Sequence, residues 1–433
     1  AIPRIRFFIV NVALIPGRGL REDLLPPDLV EIKKRLNYYE DIMSKKSKTK
    51  GKRPLQVLFL PTDDGGCGWY RIRQFNDAFQ LRDDVKSYLM DGKEPSEDQV
   101  ELIKNADVVV ARMADFQYVK MIKEDIAPEK KIVFDHDDNT MEVLPTSEHY
   151  KEFGTEDAWA LVNGNLRPIW VTGFTEGFNR YKNISVQMAL LYLLASADLI
   201  TTPVQKLLDF YLQFGSKEVK GGIVHNALNY DLYPEGEFIP KDKKKGEIRL
   251  GWQGGVSHMG DWEEIKEPLA RVLKDYPEVT LHILGSYYKN QFIDIADRIT
   301  RYPWYPFRAY TFKLKTLGLD GAIIPLEDKS FNEYKSEIKF VEFTALGVPS
   351  VVKNMLPYSE VINNDNSYPY KDNKEFEEQL RAMIEDIKSK KAQNKVKIGQ
   401  EWVKKERNLT KEAGKLVKLY KSILPEETQR ELL

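Results

Sequence analysis

Two α/β units, each a parallel sheet covered by helices, are predicted by three observations on the 433-residue chain. Short buried-type strands alternate with helices, the alternation stops at a segment rich in Pro, Gly and Lys, and it then starts afresh. Both runs open with an apolar strand that leads into a glycine-rich loop. With a leading extension and a helical tail, two units also account for a length beyond one ordinary core.

Residues 1–53 form the extension: a strand over 4–15, a helix over 27–43 and a basic linker over 45–53. The linker has two readings, a solvated hinge and a phosphate-binding arm. The apolar run 7–15 lacks a small-residue cleavage site and is expected to be a strand rather than a signal peptide. Residues 54–235 form the first unit, with strands at 55–60, 106–111, 131–134, 198–202 and 222–225 and helices near 70–79 and 204–214. The aromatic stretch 148–194 breaks the rhythm and is expected to be an irregular helical insertion beside a cleft. A hinge at 230–247 precedes the second unit, 236–405, with strands at 248–252, 279–284, 322–326 and 348–352 and a helix at 262–275. Helical patterns fill the remainder, the last being assigned to 406–433.

Composition narrows the function. The 65 basic and 66 acidic residues leave a formal charge of -1, which argues against a dedicated nucleic-acid binder. The single cysteine, Cys67, excludes an intrachain disulfide framework and a multi-cysteine zinc site, and suits a reducing cytoplasm. No apolar run approaches the roughly 20 residues that span a bilayer. Hydrophobic content of 42 % argues for filled cores rather than disorder.

The most informative stretch is 322–352. Its helix places Ile338, Val341, Ala345 and Leu346 at helical spacing, with Lys335, Ser336, Lys339 and Glu342 on the opposite stripe. Gly347 stops the helix and Pro349 helps begin the next strand. A helix start that carries Lys and Ser offers free backbone N–H groups and positive charge to a phosphate. A carboxylate two turns on suits sugar hydroxyls. An amphipathic helix with a solvated Lys/Glu face is the plainer reading.

The segment resembles the donor-binding signature of GT-B glycosyltransferases of the family 4 type: Glu, seven residues, a second Glu, then small-x-Gly-x-Pro. Glu342, Ala345, Gly347 and Pro349 match its second half, whereas the first Glu is replaced by Tyr334, with Glu333 one place out of register. The run Phe331-Asn332-x-x-Lys335-Ser336-x-x-Lys339-x-x-Glu342 resembles a bacterial and phage-like variant more closely. The resemblance covers about residues 55–425. It implies a GT-B fold, in which two Rossmann-like domains face each other across an interdomain cleft: an acceptor domain over 54–235, a donor domain over 236–405, and a last helix that crosses back. It implies Glu342 on the nucleotide ribose, with Tyr334 a catalytic candidate. The reaction implied is retaining transfer of a sugar from a UDP- or GDP-linked donor, with no cofactor and no metal. The acceptor is left as a glycan, a small molecule or a modified DNA base.

Other loops fit this frame. Gly254, Gly255 and His258 follow the first strand of the second unit, where glycines let backbone amides approach a pyrophosphate. With no Arg or Lys in this loop, His258, Lys335 and Lys339 are expected to supply charge; the alternative is a turn with Asp261 as N-cap. Gly65, Gly66, Gly68, Tyr70 and Arg71 follow the first strand of the chain, where the resemblance implies an acceptor and phosphate loop. There Arg71 would meet phosphate and Tyr70 an acceptor ring, or the loop is a tight turn capped by Asp63 or Asp64. Asp135-His136-Asp137-Asp138 ends another strand; a hard cation is one reading, and Asp135 or Asp137 as a catalytic base is the sharper one. His225 reads as a satisfied strand histidine. Two further functions are kept open: a DNA-base glycosyltransferase, and a non-catalytic GT-B-like binding protein.

Overall fold

The computed structural model describes residues 52–90, 96–162, 164–233, 238–287 and 292–433. The strand expected at 4–15, the helix at 27–43 and most of the basic linker lie outside the described residues.

The first unit runs through β1 (Leu55–Phe59), α1 (Gln74–Phe79), β2 (Val85–Leu89), α2 (Glu97–Asn105), β3 (Val108–Ala111), α3 (Phe116–Met121) and β4 (Lys131–Asp135). After β5 (Ala158–Val162), β6 (Asn165–Trp170) and α4 (Arg180–Ser196) come β7 (Leu199–Thr202), α5 (Gln205–Leu212) and β8 (Lys220–Ile223). Six of these strands form one parallel sheet in the order β2-β1-β3-β4-β7-β8. Successive side chains of β1 leave on opposite faces: Leu55, Val57 and Phe59 enter one core, Leu58 the other. A strand buried on both sides reads as an unbroken apolar run, which is why β1, β3 and β4 are visible in the sequence.

The second unit repeats the plan. It comprises β9 (Ile248–Gly254), α6 (Met259–Asp275), β10 (Val279–Gly285), β11 (Ile299–Tyr302), α7 (Phe307–Thr316), β12 (Gly321–Ile324), α8 (Ile338–Ala345), β13 (Ser350–Lys353), β14 (Tyr368–Tyr370) and α9 (Asn373–Lys388). Its parallel sheet runs β11-β10-β9-β12-β13-β14, so strand order reverses between β9 and β12. In open α/β sheets, ligands enter at such a reversal, beyond the carboxyl ends of the strands.

The tail forms α10 (Ala392–Glu406) and α11 (Leu409–Ser422). Leu409, Ala413, Leu416, Val417 and Tyr420 of α11 share a core with Leu55, Val57 and Phe75 of the first unit. The crossing is stitched by Leu228 N–H to Arg407 O at 2.8 Å and Leu409 N–H to Leu228 O at 3.0 Å.

Two differences from the sequence reading have physical causes. The stretch 148–194 is not wholly helical: β5 and β6 form an antiparallel hairpin before α4. Its turn contains Gly164 at φ +76°, a conformation that glycine adopts freely, and the Asn163-Gly164 dipeptide is the signal that was passed over. Strand β14 went unread because it is three residues long with Pro369 at its centre, and β2 and β11 because each lies at a sheet edge. There one side faces solvent, so Lys86, Thr300 and Arg301 interrupt the apolar run.

Because α11 completes the first unit's core, Leu416→Ala should lower unfolding free energy by about 2–5 kcal/mol. Urea titration monitored by tryptophan fluorescence measures this; a loss below about 1 kcal/mol would mean that Leu416 carries little of that core.

Candidate functional site

The carboxyl end of β9 sets the crevice of the second unit. Gly254 closes the strand, and a Cβ there would lie 2.6 Å from the Trp252 ring and 2.9 Å from His258. Gly285, at φ +111°, ends β10 so close that a Cβ would meet Gly254 O at 2.3 Å. Bare backbone at both strand ends therefore lets the chain turn tightly beside the crevice. The half-exposed ring of Trp304 stands next to it, stacked on Tyr310 with centroids 5.3 Å apart.

Basic groups gather where the β9 loop meets the start of α8. Lys339 Nζ lies 3.0 Å from His258 Nε2 and 5.0 Å above the Trp252 ring. Burial, with Lys335 nearby, brings the Lys339 ammonium down to about 7, against the pull of Asp261. Burial, helped by Lys339 and Lys335, lowers His258 to about 3. His258 is thus neutral, and the charge expected of it comes from the lysines instead. Lys335 Nζ is buried beside the Phe331 ring at 5.1 Å and has no hydrogen-bond partner among the described residues. Such an ammonium is costly unless an anion completes it. Ser336 Oγ faces the first unit and accepts from Asn226 Nδ2 at 2.9 Å.

Glu342 is buried and receives donors from both units. Gln253 Nε2 donates at 2.8 Å, Tyr310 Oη at 3.1 Å, and Tyr70 Oη reaches across from the first unit. Tyr70 is carried there by the widened helical turn Trp69–Arg73, and it meets Phe307 edge-on at 5.5 Å. The acceptor ring expected on Tyr70 is thereby replaced, in this structure, by contacts with the second unit.

The glycine loop of the first unit is a capped turn. Asp63 Oδ1 accepts from Gly65 N–H at 2.7 Å and Gly68 N–H at 3.3 Å. A Cβ on Gly66 would touch Phe307 across the cleft at 3.3 Å, and one on Gly68 would lie 2.2 Å from Asp63 O. Arg71 is buried and fully engaged within the first unit. It grips Asp135 through two bonds of 2.8 and 2.7 Å, and its Nη1 donates to Val224 O and Asn226 Oδ1. Asp135 also accepts from Thr201 Oγ1 at 2.6 Å. With both oxygens occupied by a buried guanidinium, Asp135 is an internal counterion, a correction to its reading as a base and to that of Arg71 as a phosphate ligand. The sequence hides the pair, since 64 residues separate its members.

Asp137 pairs with Arg112 at 3.3 Å, and burial raises its carboxyl to about 6. One ligand atom each from Cys67, Asp137 and Asp138 lies within 4.8 Å of the others. Arg112, which also holds Asp63 at 2.6 Å, supplies positive charge at that cluster. Tyr334 sits at the interface with its ring 5.5 Å from Phe210 and 5.0 Å below Lys206. His225 Nδ1 faces Pro203 O at 2.9 Å. Sequence reasoning missed Trp304, Arg112 and the buried contacts of Asp261; the Tyr-Pro-Trp-Tyr-Pro run at 302–306 is the signal for the first.

No family model matches the sequence, and no curated protein matches it. Solved structures do resemble it. HepE from Anabaena in complex with UDP-glucose aligns over 85 % of this chain and 100 % of its own, with TM-score 0.59 and 14 % identity. Sucrose-phosphate synthase from Thermosynechococcus elongatus aligns over 85 % and 99 %, with TM-score 0.55 and 12 % identity. A glycosyltransferase from Rickettsia africae aligns over 86 % and 98 %, with TM-score 0.54 and 11 % identity. The two facing parallel sheets and these likenesses identify the fold as GT-B. Among the described residues no helix is long and apolar enough to cross a membrane.

Burial raises the Glu342 carboxyl from 4.5 to about 7, against the hydrogen bonds of Tyr70 and Tyr310. The folded protein therefore keeps a proton that the unfolded chain releases. That contribution is complete below pH 4.5 and disappears as pH climbs through about 7. Glu342→Gln should remove this dependence, gaining up to about 3 kcal/mol on the parent across the window. Denaturation curves for the two proteins at several pH values would refute this by running parallel.

Proposed function

We propose that the chain is a glycosyltransferase that moves a sugar from a nucleoside diphosphate-sugar to an acceptor hydroxyl. The carrying observation is the buried Lys335 Nζ, which has no hydrogen-bond partner among the described residues, beside Lys339 at the start of α8 and the Gly254-Gly255 turn. A diphosphate is the anion that suits it: two ammonium groups, the Ser336 segment and the first amides of α8 would take up charge as the sugar–phosphate bond breaks. UDP is the favoured carrier, because HepE, of the same fold, is known in complex with UDP-glucose.

Residues 236–405 would hold the donor and 54–235 the acceptor, with 406–433 returning to the first unit. Glu342 would hold the ribose. Its present partners include neutral hydroxyls, Tyr70 and Tyr310, the kind of donor a ribose diol supplies, so domain opening about residues 230–247 would exchange Tyr70 for substrate. The Trp304 face would support the base. Transfer with retention fits a site whose Asp135 is sequestered by Arg71: the acceptor oxygen joins the anomeric carbon on the face the diphosphate leaves, and its proton passes to a diphosphate oxygen. Tyr334 stands at the interface to contact the transferred sugar, and Asp137 on the acceptor side.

Calorimetric titration with UDP, GDP and UDP-glucose tests the proposal. UDP or GDP should bind, and Lys335→Met should weaken binding roughly 10- to 100-fold. The unliganded variant should melt no lower than the parent, since an unpaired buried charge is removed. Absence of nucleotide binding by the parent, or equal binding by the variant, would refute the site.

A further inference from the structure

The crevice contains a carboxylate, Asp261, that is 2 % exposed and engaged on both oxygens. Oδ2 lies 2.6 Å from His258 Nδ1. Oδ1 accepts the backbone N–H of Glu327 at 2.8 Å, with Asn332 Nδ2 at 3.5 Å. Asp261 thus ties the first turn of α6 to the segment that follows β12 and leads toward Lys335.

His258 lies between Asp261 and Lys339, and the lysine settles where its proton resides. At about pH 6, below the value of about 7 to which burial brings Lys339, its ammonium donates and cannot accept, so the 3.0 Å contact requires a lone pair on Nε2, and the measurements below are made at that pH. The ring proton is then on Nδ1, donated to Asp261. We propose that Asp261 is a positioning residue of the donor site: by holding His258 as the Nδ1–H tautomer, it makes Nε2 the acceptor that anchors the Lys339 ammonium over Trp252. The role rests on the crevice being the diphosphate site.

The consequence of losing the charge follows from an N–H that cannot rotate. In Asp261→Asn, the backbone N–H of Glu327 requires the amide oxygen on its side. The new NH2 then points at His258 Nδ1, which must become the acceptor. The imidazole proton moves to Nε2 and confronts Lys339, donor against donor. Asp261→Asn should therefore weaken UDP binding roughly tenfold or more. His258→Gln supplies the control: a Gln carbonyl accepts from Lys339 whichever group occupies position 261. In that background Asp261→Asn should change UDP affinity by no more than about twofold, a difference a double-mutant cycle isolates.

Long-range nitrogen–proton NMR on histidine-labelled protein reads the tautomer directly. The expected result is Nδ1–H for His258 in the parent and Nε2–H in Asp261→Asn, together with the background-dependent loss of UDP affinity. Retention of Nδ1–H in the variant, or an equal affinity loss in both backgrounds, overturns the proposal. A parent that shows Nδ1–H yet binds no UDP defeats the diphosphate reading itself, and the role of Asp261 with it, while the proton assignment stands apart.

Discussion

Three acidic groups on the cleft side of the second unit take a donor from beyond it. Glu342 meets Tyr70, Glu333 meets Lys206, and Glu337 meets Arg407 at the crossing into α11. Facing parallel sheets impose this pattern, since both present their polar strand-end loops to the same gap. A carboxylate buried there without a donor would pay a desolvation cost that surface groups escape. The three pairs hold the units together while leaving the lysines at the head of α8 unneutralised from the opposite side.

That imbalance is the chemically useful part. Asp135 with Arg71, and Asp137 with Arg112, follow one rule: each buried acid is matched by a guanidinium. Lys335 departs from this rule, because its ammonium is buried with an aromatic ring and, among the described residues, no hydrogen-bond acceptor. A folded chain tolerates such a group where a ligand supplies the missing acceptor.

Much of this was readable before any coordinates. Strands such as Val108–Ala111 are buried on both faces, so composition alone marks them. Edge strands such as Ile299–Tyr302 are half solvated and look like loops. The run from Phe331 to Glu342 was legible only in part: Lys339 and Glu342 do lie on α8, but a 3-10 turn ends at Tyr334, Lys335 is extended and the helix begins only at Ile338, so Lys335 and Ser336 precede it rather than share its stripe. Arg71 and Asp135 were assigned separate chemical roles because nothing in a linear sequence shows that one neutralises the other. His258 was read as a cation for the same reason: burial, and Lys339 81 residues away, make a positive imidazole unfavourable.

The placement of α11 has a bearing on how the molecule is made. Leu55, Val57 and Phe75 leave the ribosome more than 300 residues ahead of the helix that covers them. During that interval the nascent first unit displays an oily surface, and the second unit can mature beside an unfinished neighbour. Synthesis of such a chain favours chaperone shelter until residues 409–422 arrive, and stalling upstream of them would yield a sticky fragment rather than a compact half of the molecule.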